Sequence, residues 1–335
     1  MTSSTTQARG RFERLHISYN TLLAIYGVLP LFALVIFCDE LLLDKALQGI
    51  LPSNPYTWRL ITIFLVYPHI IASTLTLFEE DYLSFYKNDI AKALTIALSL
   101  TFGLPLIASA QTQFLVLASY TVYHVMTQQV GIAAIMWGKP TKSFRLWKWL
   151  LLGQSLIAYI VIYSESGTVF GFTGDVVYGL IILFFPLFAF LTYRLTQRSE
   201  TRPGAYYLWA NCFMVLFVTY CLTQNYHFFA ILGPRIIHDL SAFVFYVTHD
   251  HNRNRLASKN MIYRFFSSRI PIVLIGPMLA IALANLILSF EVHYWPARFL
   301  LAISFFHYGL EGFIWKRGSR HRNALAFNEA QWVLR

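Results

Sequence analysis

Apolar stretches of about twenty residues, parted by short polar turns, recur along the whole chain, the length that carries a helix across ~30 Å of hydrocarbon at 1.5 Å per residue. They fall near residues 20–38, 58–78, 90–109, 112–136, 147–163, 174–195, 206–224, 227–247, 270–290 and 296–315. Hydropathy is nearly continuous over 90–136 and 206–247, and the polar runs Ala110-Gln111-Thr112-Gln113 and Thr223-Gln224-Asn225 divide each into two. The pattern predicts an all-α, polytopic integral membrane bundle of about ten transmembrane helices. Residues 20–315 would form a single transmembrane domain between an N-terminal tail, 1–19, and a basic C-terminal tail, 316–335.

Composition agrees. With 57% hydrophobic and 13% charged residues and a mean hydropathy of +0.53, the chain has too little polar surface to cover a water-soluble globule of 335 residues. Charge then orients the bundle, because Lys and Arg collect in short cytoplasmic loops. With both termini in the cytoplasm, 22 of the 26 basic residues lie inside. Lys45, Arg59 and Arg298 lie outside, and Arg235 falls within the eighth stretch. A bacterial-type inner membrane or a plasma membrane is the expected location. The net charge of +10 therefore reads as topology, with anionic lipids as partners of the inner loops and no nucleic-acid footprint.

The N-terminal tail precedes no short apolar core with a cleavage site, so the first stretch is expected to stay as an anchor. Cys38, Cys212 and Cys221 lack CxxC spacing and read as small apolar residues. The longest inner loop, His249 to Arg269, is too short for a separate catalytic domain. Chemistry must sit among the helices or at their inner ends.

An ionisable group at mid-bilayer is costly enough to mark a functional site, and four histidines qualify. His69, His124, His238 and His307 lie 11, 12, 11 and 11 residues from the outer ends of the second, fourth, eighth and tenth stretches. That is a depth of ~16–18 Å at 1.5 Å per residue. All four stretches run from outside to inside, so the imidazoles come level as a predicted metal-ligand set.

His307 and Glu311 share a helix face by their spacing of four, as do Glu/His pairs in carboxylate-bridged metal bundles. Glu311 is a candidate ligand or bridge. His124 and Gln128 share a face likewise, and Gln128 would hold a water or a ligand's free nitrogen. Tyr308 adjoins His307 as a hydrogen-bond donor or redox-active side chain. Asp239 either joins the ligands or neutralises Arg235 four residues before it. At the inner end, His249 and His251 face Glu79-Glu80-Asp81 and form a candidate second site, or else solvated, helix-capping charges. Imidazole and carboxylate without thiolate suit iron, zinc or manganese, as one ion or two.

These residues predict a non-haem iron oxidoreductase of oxygenase, desaturase or hydroxylase type. It would use O2 as cosubstrate on a lipid-like substrate from the bilayer, with an electron donor as partner. Two rivals remain. A metal or proton transporter would use the same midplane groups and the stripe His227, His238, His249, which recurs every eleven residues on one helix face. A haem-binding electron carrier would use the histidines as axial ligands.

The HxxxH and HxxHH boxes of the membrane desaturases do not occur. The scattered intramembrane His69, His124, His238 and His307 resemble those of the Brp/Blh carotene-cleaving membrane dioxygenases, which are polytopic and hold iron with histidines on helices. That resemblance implies an iron-dependent oxygenase with these four residues as ligands.

Overall fold

Each apolar stretch is helical over most of its length. The computed structural model describes residues 13–138, 141–163, 168–169, 172–290 and 294–328. Its ten long helices are α1 (Tyr19–Leu42), α2 (Arg59–Phe78), α3 (Lys87–Leu106), α4 (Ala110–Trp137), α5 (Lys142–Tyr163), α6 (Gly174–Thr196), α7 (Arg202–Thr223), α8 (His227–Asn254), α9 (Ile272–Leu288) and α10 (Tyr294–Ile314). Short helices and a two-residue ribbon, Thr168–Val169 against Phe172–Thr173, complete the described residues.

By length and apolarity six of these helices can cross a membrane: α1, α2, α3, α7, α8 and the Tyr178–Thr196 part of α6. Residues 1–12, residues 139–140 and the whole tail after 328, and with them the basic residues Arg9, Arg11, Lys139 and Arg335, lie outside the described residues.

Both predicted divisions of the hydropathy profile are real. The α7–α8 break falls at Asn225, which takes a left-handed φ of 62°. Asn225 N–H donates to the Leu222 carbonyl at 3.1 Å and Tyr226 N–H to the Cys221 carbonyl at 2.7 Å. These two bonds are a Schellman cap, and they end α7 where its last carbonyls would otherwise be orphaned. The α3–α4 break comes a few residues earlier than the polar run at 110–113, because Pro105 turns the end of α3 into a 3₁₀ turn, Leu104–Leu106.

Prolines shape three of the helices. A proline gives no N–H and crowds the carbonyl four residues back. In α2 a π-helical turn, Thr62–Val66, precedes Pro68, and in α3 another, Ser99–Gly103, precedes Pro105. The Thr101 carbonyl that Pro105 leaves free accepts from the Arg298 guanidinium at 3.2 Å. In α8, Pro234 frees the Ala230 carbonyl, which accepts from the Tyr159 hydroxyl at 2.7 Å. Such replacement donors are what hydrocarbon demands of irregular helices.

The helices form two compact units, and the chain passes from one to the other inside α8, between His238 and Asp239. The first unit holds α2, α3, α9, α10 and the second half of α8. In it α10 packs on α3 and α2, and α9 packs on α2. Its core brings together Ile71, Ala72 and Leu75 of α2, Ala242 and Tyr246 of α8, Ala280 and Ala284 of α9, and Leu310 and Ile314 of α10. Lipid tails are as apolar as leucine, so helices in a bilayer gain by close packing, and small residues allow it. Gly309 shows this: a Cβ there would stand 3.0 Å from Cβ of Ala93 on α3.

Residues near both ends of the chain meet in this unit. Ile17 pairs with Phe327, and Asn252 bonds the backbone of Leu15 and of Ala324.

The second unit holds α1, α4, α5, α6, α7 and the first half of α8, with α4, α5 and α7 packed on one another, α6 on α5 and α7, and α1 on α7. Leu31, Leu34 and Phe37 of α1 are 56–57% exposed. Runs of exposed large apolar side chains are a liability in water and suit a bilayer.

Candidate metal centre

His69 follows Pro68 in the turn after the π segment of α2, and its ring is fully buried. Nδ1 lies 3.1 Å from the Val66 carbonyl oxygen and 3.0 Å from Oδ1 of Asp239. A carbonyl can only accept, so Nδ1 carries the proton and Nε2 keeps its lone pair.

His307 on α10 is fixed in the same way by a different partner. Ser73, one turn after His69 on α2, donates its hydroxyl to the Ile70 carbonyl at 2.6 Å. Its oxygen, 2.7 Å from Nδ1 of His307, is left to accept. His307 is thus also protonated on Nδ1 and bare on Nε2. The two Nε2 atoms stand 2.9 Å apart, with rings edge to face at 86°. Two lone pairs aimed at each other across that distance repel unless a proton or a metal cation lies between them.

The second unit supplies another pair. The rings of His124 on α4 and His238 on α8 are buried, with centroids 4.9 Å apart at 78°. One nitrogen from each of His69, His124, His238 and His307 lies within 4.8 Å of all the others. Among the described residues this is the group of histidine, cysteine and acidic side chains whose donor atoms converge closely enough for one ion.

The other sequence-predicted residues have separate places. Glu311 is buried on α10 and accepts from the Tyr246 hydroxyl of α8. Asp239 lies beside His69, behind the ring's donor nitrogen. Tyr308 is buried with its ring 5.5 Å from that of His307. Gln128 is half-buried, and its oxygen accepts from Gln129 at 3.3 Å. Gln129 is the buried amide of α4, and its oxygen takes the hydroxyls of Tyr26 at 3.1 Å and Tyr207 at 2.5 Å.

His249 and His251 point to different partners. His249 bonds Asp250 at 2.8 Å through Nδ1 and Tyr82 at 3.1 Å through Nε2. His251 donates from Nε2 to the Glu13 carbonyl at 2.9 Å. The acids near them are met by cations and amides. Glu79 takes Arg253 and Asn254, Glu80 takes Arg264, and Asp81 takes Arg253 and Arg320. Burial raises the Glu79 carboxyl above its ordinary range, and bonds from Asn254 and the charges of His249 and Arg253 offset part of that rise.

Three functional neighbours escape a reading of the sequence. Ser73 is legible in hindsight, since it follows His69 by four and so shares its face. Tyr246 carries no such signal. His321, in the predicted tail, is fully buried and stacks on His249 at 4.6 Å and 12°. Its Nε2 lies 3.1 Å from the Thr76 hydroxyl, which itself donates to the Ser73 carbonyl, so His321 donates there. Burial first, then the positive neighbours His249 and Arg253, holds its imidazole well below the usual histidine range.

A cavity of about 120 Å³ lies in the second unit, lined by Ala118, Thr121, Val122 and Val125 of α4 and by Ile231, Pro234 and Arg235 of α8, among others. These residues lie within two turns of His124 and His238, mostly on their N-terminal side. The walls are mainly aliphatic and aromatic.

None of the protein-family models, curated proteins and solved structures compared with the chain matches it.

Proposed function

We propose that the chain is an integral membrane protein of ten spans with both termini in the cytoplasm, and that its four histidines hold one metal ion for oxidation of an apolar substrate. The close approach of two ring nitrogens that their other hydrogen bonds leave unprotonated, His69 Nε2 and His307 Nε2, carries this reading. The meeting of both chain ends on one unit accords with an even number of spans.

The donor set favours iron. The 2.9 Å approach of the two nitrogens would let both hold one small ion, with manganese and zinc as alternatives to iron. It also argues against axial haem ligation, in which a macrocycle separates the two imidazoles. Glu311 is engaged by Tyr246, so one ion accounts for the donors better than two.

Bound iron would supply O2 activation toward a C–H or C=C bond. The chain's own residues do the rest. Val66, Asp239 and Ser73 fix ring orientation and tautomer. Asp239 and Glu311 place negative charge near a cation held by neutral ligands, and the cavity beside His124 and His238 receives the apolar body of a substrate from the bilayer.

Metal analysis of the purified full-length protein tests the reading. The wild type should carry about one iron per chain, and His69→Ala and His307→Ala should each lose most of it while melting cooperatively. Unchanged metal content in both folded variants would end the proposal.

A further inference from the structure

In the first unit, away from the histidine group, a cleft of about 360 Å³ is lined by Arg14, Asp81, Asn252, Arg253, Arg255, Arg320, Asn323 and Ala324. Four guanidinium groups therefore face one carboxylate. Asp81 is shared, taking Arg253 at 2.8 Å and Arg320 at 2.8 Å. The arginines are held as well as gathered. Arg253 also reaches Glu79 and lies over the Tyr82 ring, and Arg320 lies over Phe85. Arg14 donates to the carbonyls of Asn323, Ala324 and Leu325 at 3.2–3.3 Å. Arg255 donates from one terminal nitrogen to the Asn252 carbonyl at 3.2 Å. Its Nε is shielded from solvent and has no protein acceptor among the described residues.

Excess positive charge on pre-positioned planar forks, with a buried N–H still to be satisfied, is the chemistry that recognises a phosphate group. We infer that this cleft is a phosphate-binding site, whose ligand is either a phospholipid headgroup or a soluble phosphate. Its walls come from residues 14 and 81, the C-terminal end of α8 with the residue just after it, and residues 320–324. A bound phosphate would tie the two ends of the chain to α8. This site stands independently of the metal reading, since no histidine of that group lines it.

The experiment uses the full chain in neutral detergent and in vesicles of phosphatidylcholine with or without phosphatidylglycerol. Inorganic phosphate is titrated against chloride at matched ionic strength, with the melting temperature as readout, and co-purifying lipid is identified by mass spectrometry. Arg14→Gln and Arg255→Gln are the test variants, because neither residue holds Asp81. Arg317→Gln, at an exposed basic residue outside the lining, is the control.

Saturable stabilisation by inorganic phosphate, weakened at least about tenfold by the test variants and unaltered by the control, supports a soluble ligand. Selective retention of phosphatidylglycerol, lost in the test variants alone, supports a headgroup. If neither probe binds, or if all three variants weaken binding equally, the inference is overturned and the cleft is only a generally basic surface. A cooperative melt of each variant without added phosphate reports that the fold is intact.

Discussion

Ser73→Ala tests the tautomer logic of the metal centre at a single atom. The substitution removes the oxygen 2.7 Å from Nδ1 of His307 and little volume. Two outcomes are open to the ring. It can keep its proton on Nδ1 with this acceptor gone, which costs about 1–3 kcal/mol for a buried donor. Or it can move the proton to Nε2, where it blocks the lone pair that faces the ion. Either way the metal-bound state loses more than the metal-free state, because only metal binding demands a bare Nε2. Loss of such an outer partner lowers metal affinity about 10–100-fold, equivalent to about 1.4–2.7 kcal/mol. Competition with a chelator of known affinity, on protein purified in detergent, measures the change directly. Ser73→Thr retains the hydroxyl and should recover most of the affinity. In a His307→Ala background the Ser73→Ala effect should vanish, since the two residues act through one bond. An affinity within twofold of wild type for Ser73→Ala would refute the proton assignment.

Three further outcomes follow from other contacts. Asp239→Asn removes a carboxylate 3.0 Å from His69 and should weaken metal binding by about 10–100-fold, read by the same competition. His321 has a folded pKa held below its unfolded value, so its contribution is present above pH ~6.5 and is lost as pH falls, by up to about 1.4 kcal/mol per unit until its folded pKa is reached. Denaturation midpoints between pH 5 and 8 should show this slope, and His321→Asn should flatten it; an unchanged slope would exclude His321 as its source. Tyr159→Phe strips the donor from the Ala230 carbonyl and should cost about 1–3 kcal/mol with metal stoichiometry intact, whereas loss of metal would show that this bond positions the site.

The sequence reveals features that depend on period and direction, and misses those that depend on tertiary meeting. The apolar stretches become helices, six of them long and apolar enough to cross a membrane among the described residues, because length and hydropathy are local properties. His69, His124, His238 and His307 are legible together because each lies 11 or 12 residues into its apolar stretch. Gln128 and Gln129 show the limit of face arithmetic. Adjacent residues on a helix differ by about 100°, and it is Gln129 that turns to Tyr26 and Tyr207. His249 and His251 share a local motif, yet one reaches Tyr82 and the other the Glu13 carbonyl. His321 was hidden for the converse reason. Its partners Thr76, Tyr86 and His249 come from three separate segments, and no spacing within a basic tail foretells them.

Irregular backbone is what aims the site. A π turn adds about one residue to the helical repeat, so every side chain after it is rotated by roughly 100° from the face an unbroken α-helix would give. The π segment of α2 ends at Val66, three residues before His69. The same segment's last carbonyl takes the His69 proton. The turn that re-aims the ring therefore also selects its tautomer. Pro68 accounts for the distortion, since its missing N–H and its ring disfavour a regular bond to the carbonyl four residues back. In α8, Pro234 stands four residues before His238, and its freed carbonyl is held by Tyr159. Two of the four histidines thus follow a proline within about one turn. Each of these prolines removes the regular helical bond to the carbonyl four residues back, and so the backbone is irregular just where the imidazoles of His69 and His238 leave their helices.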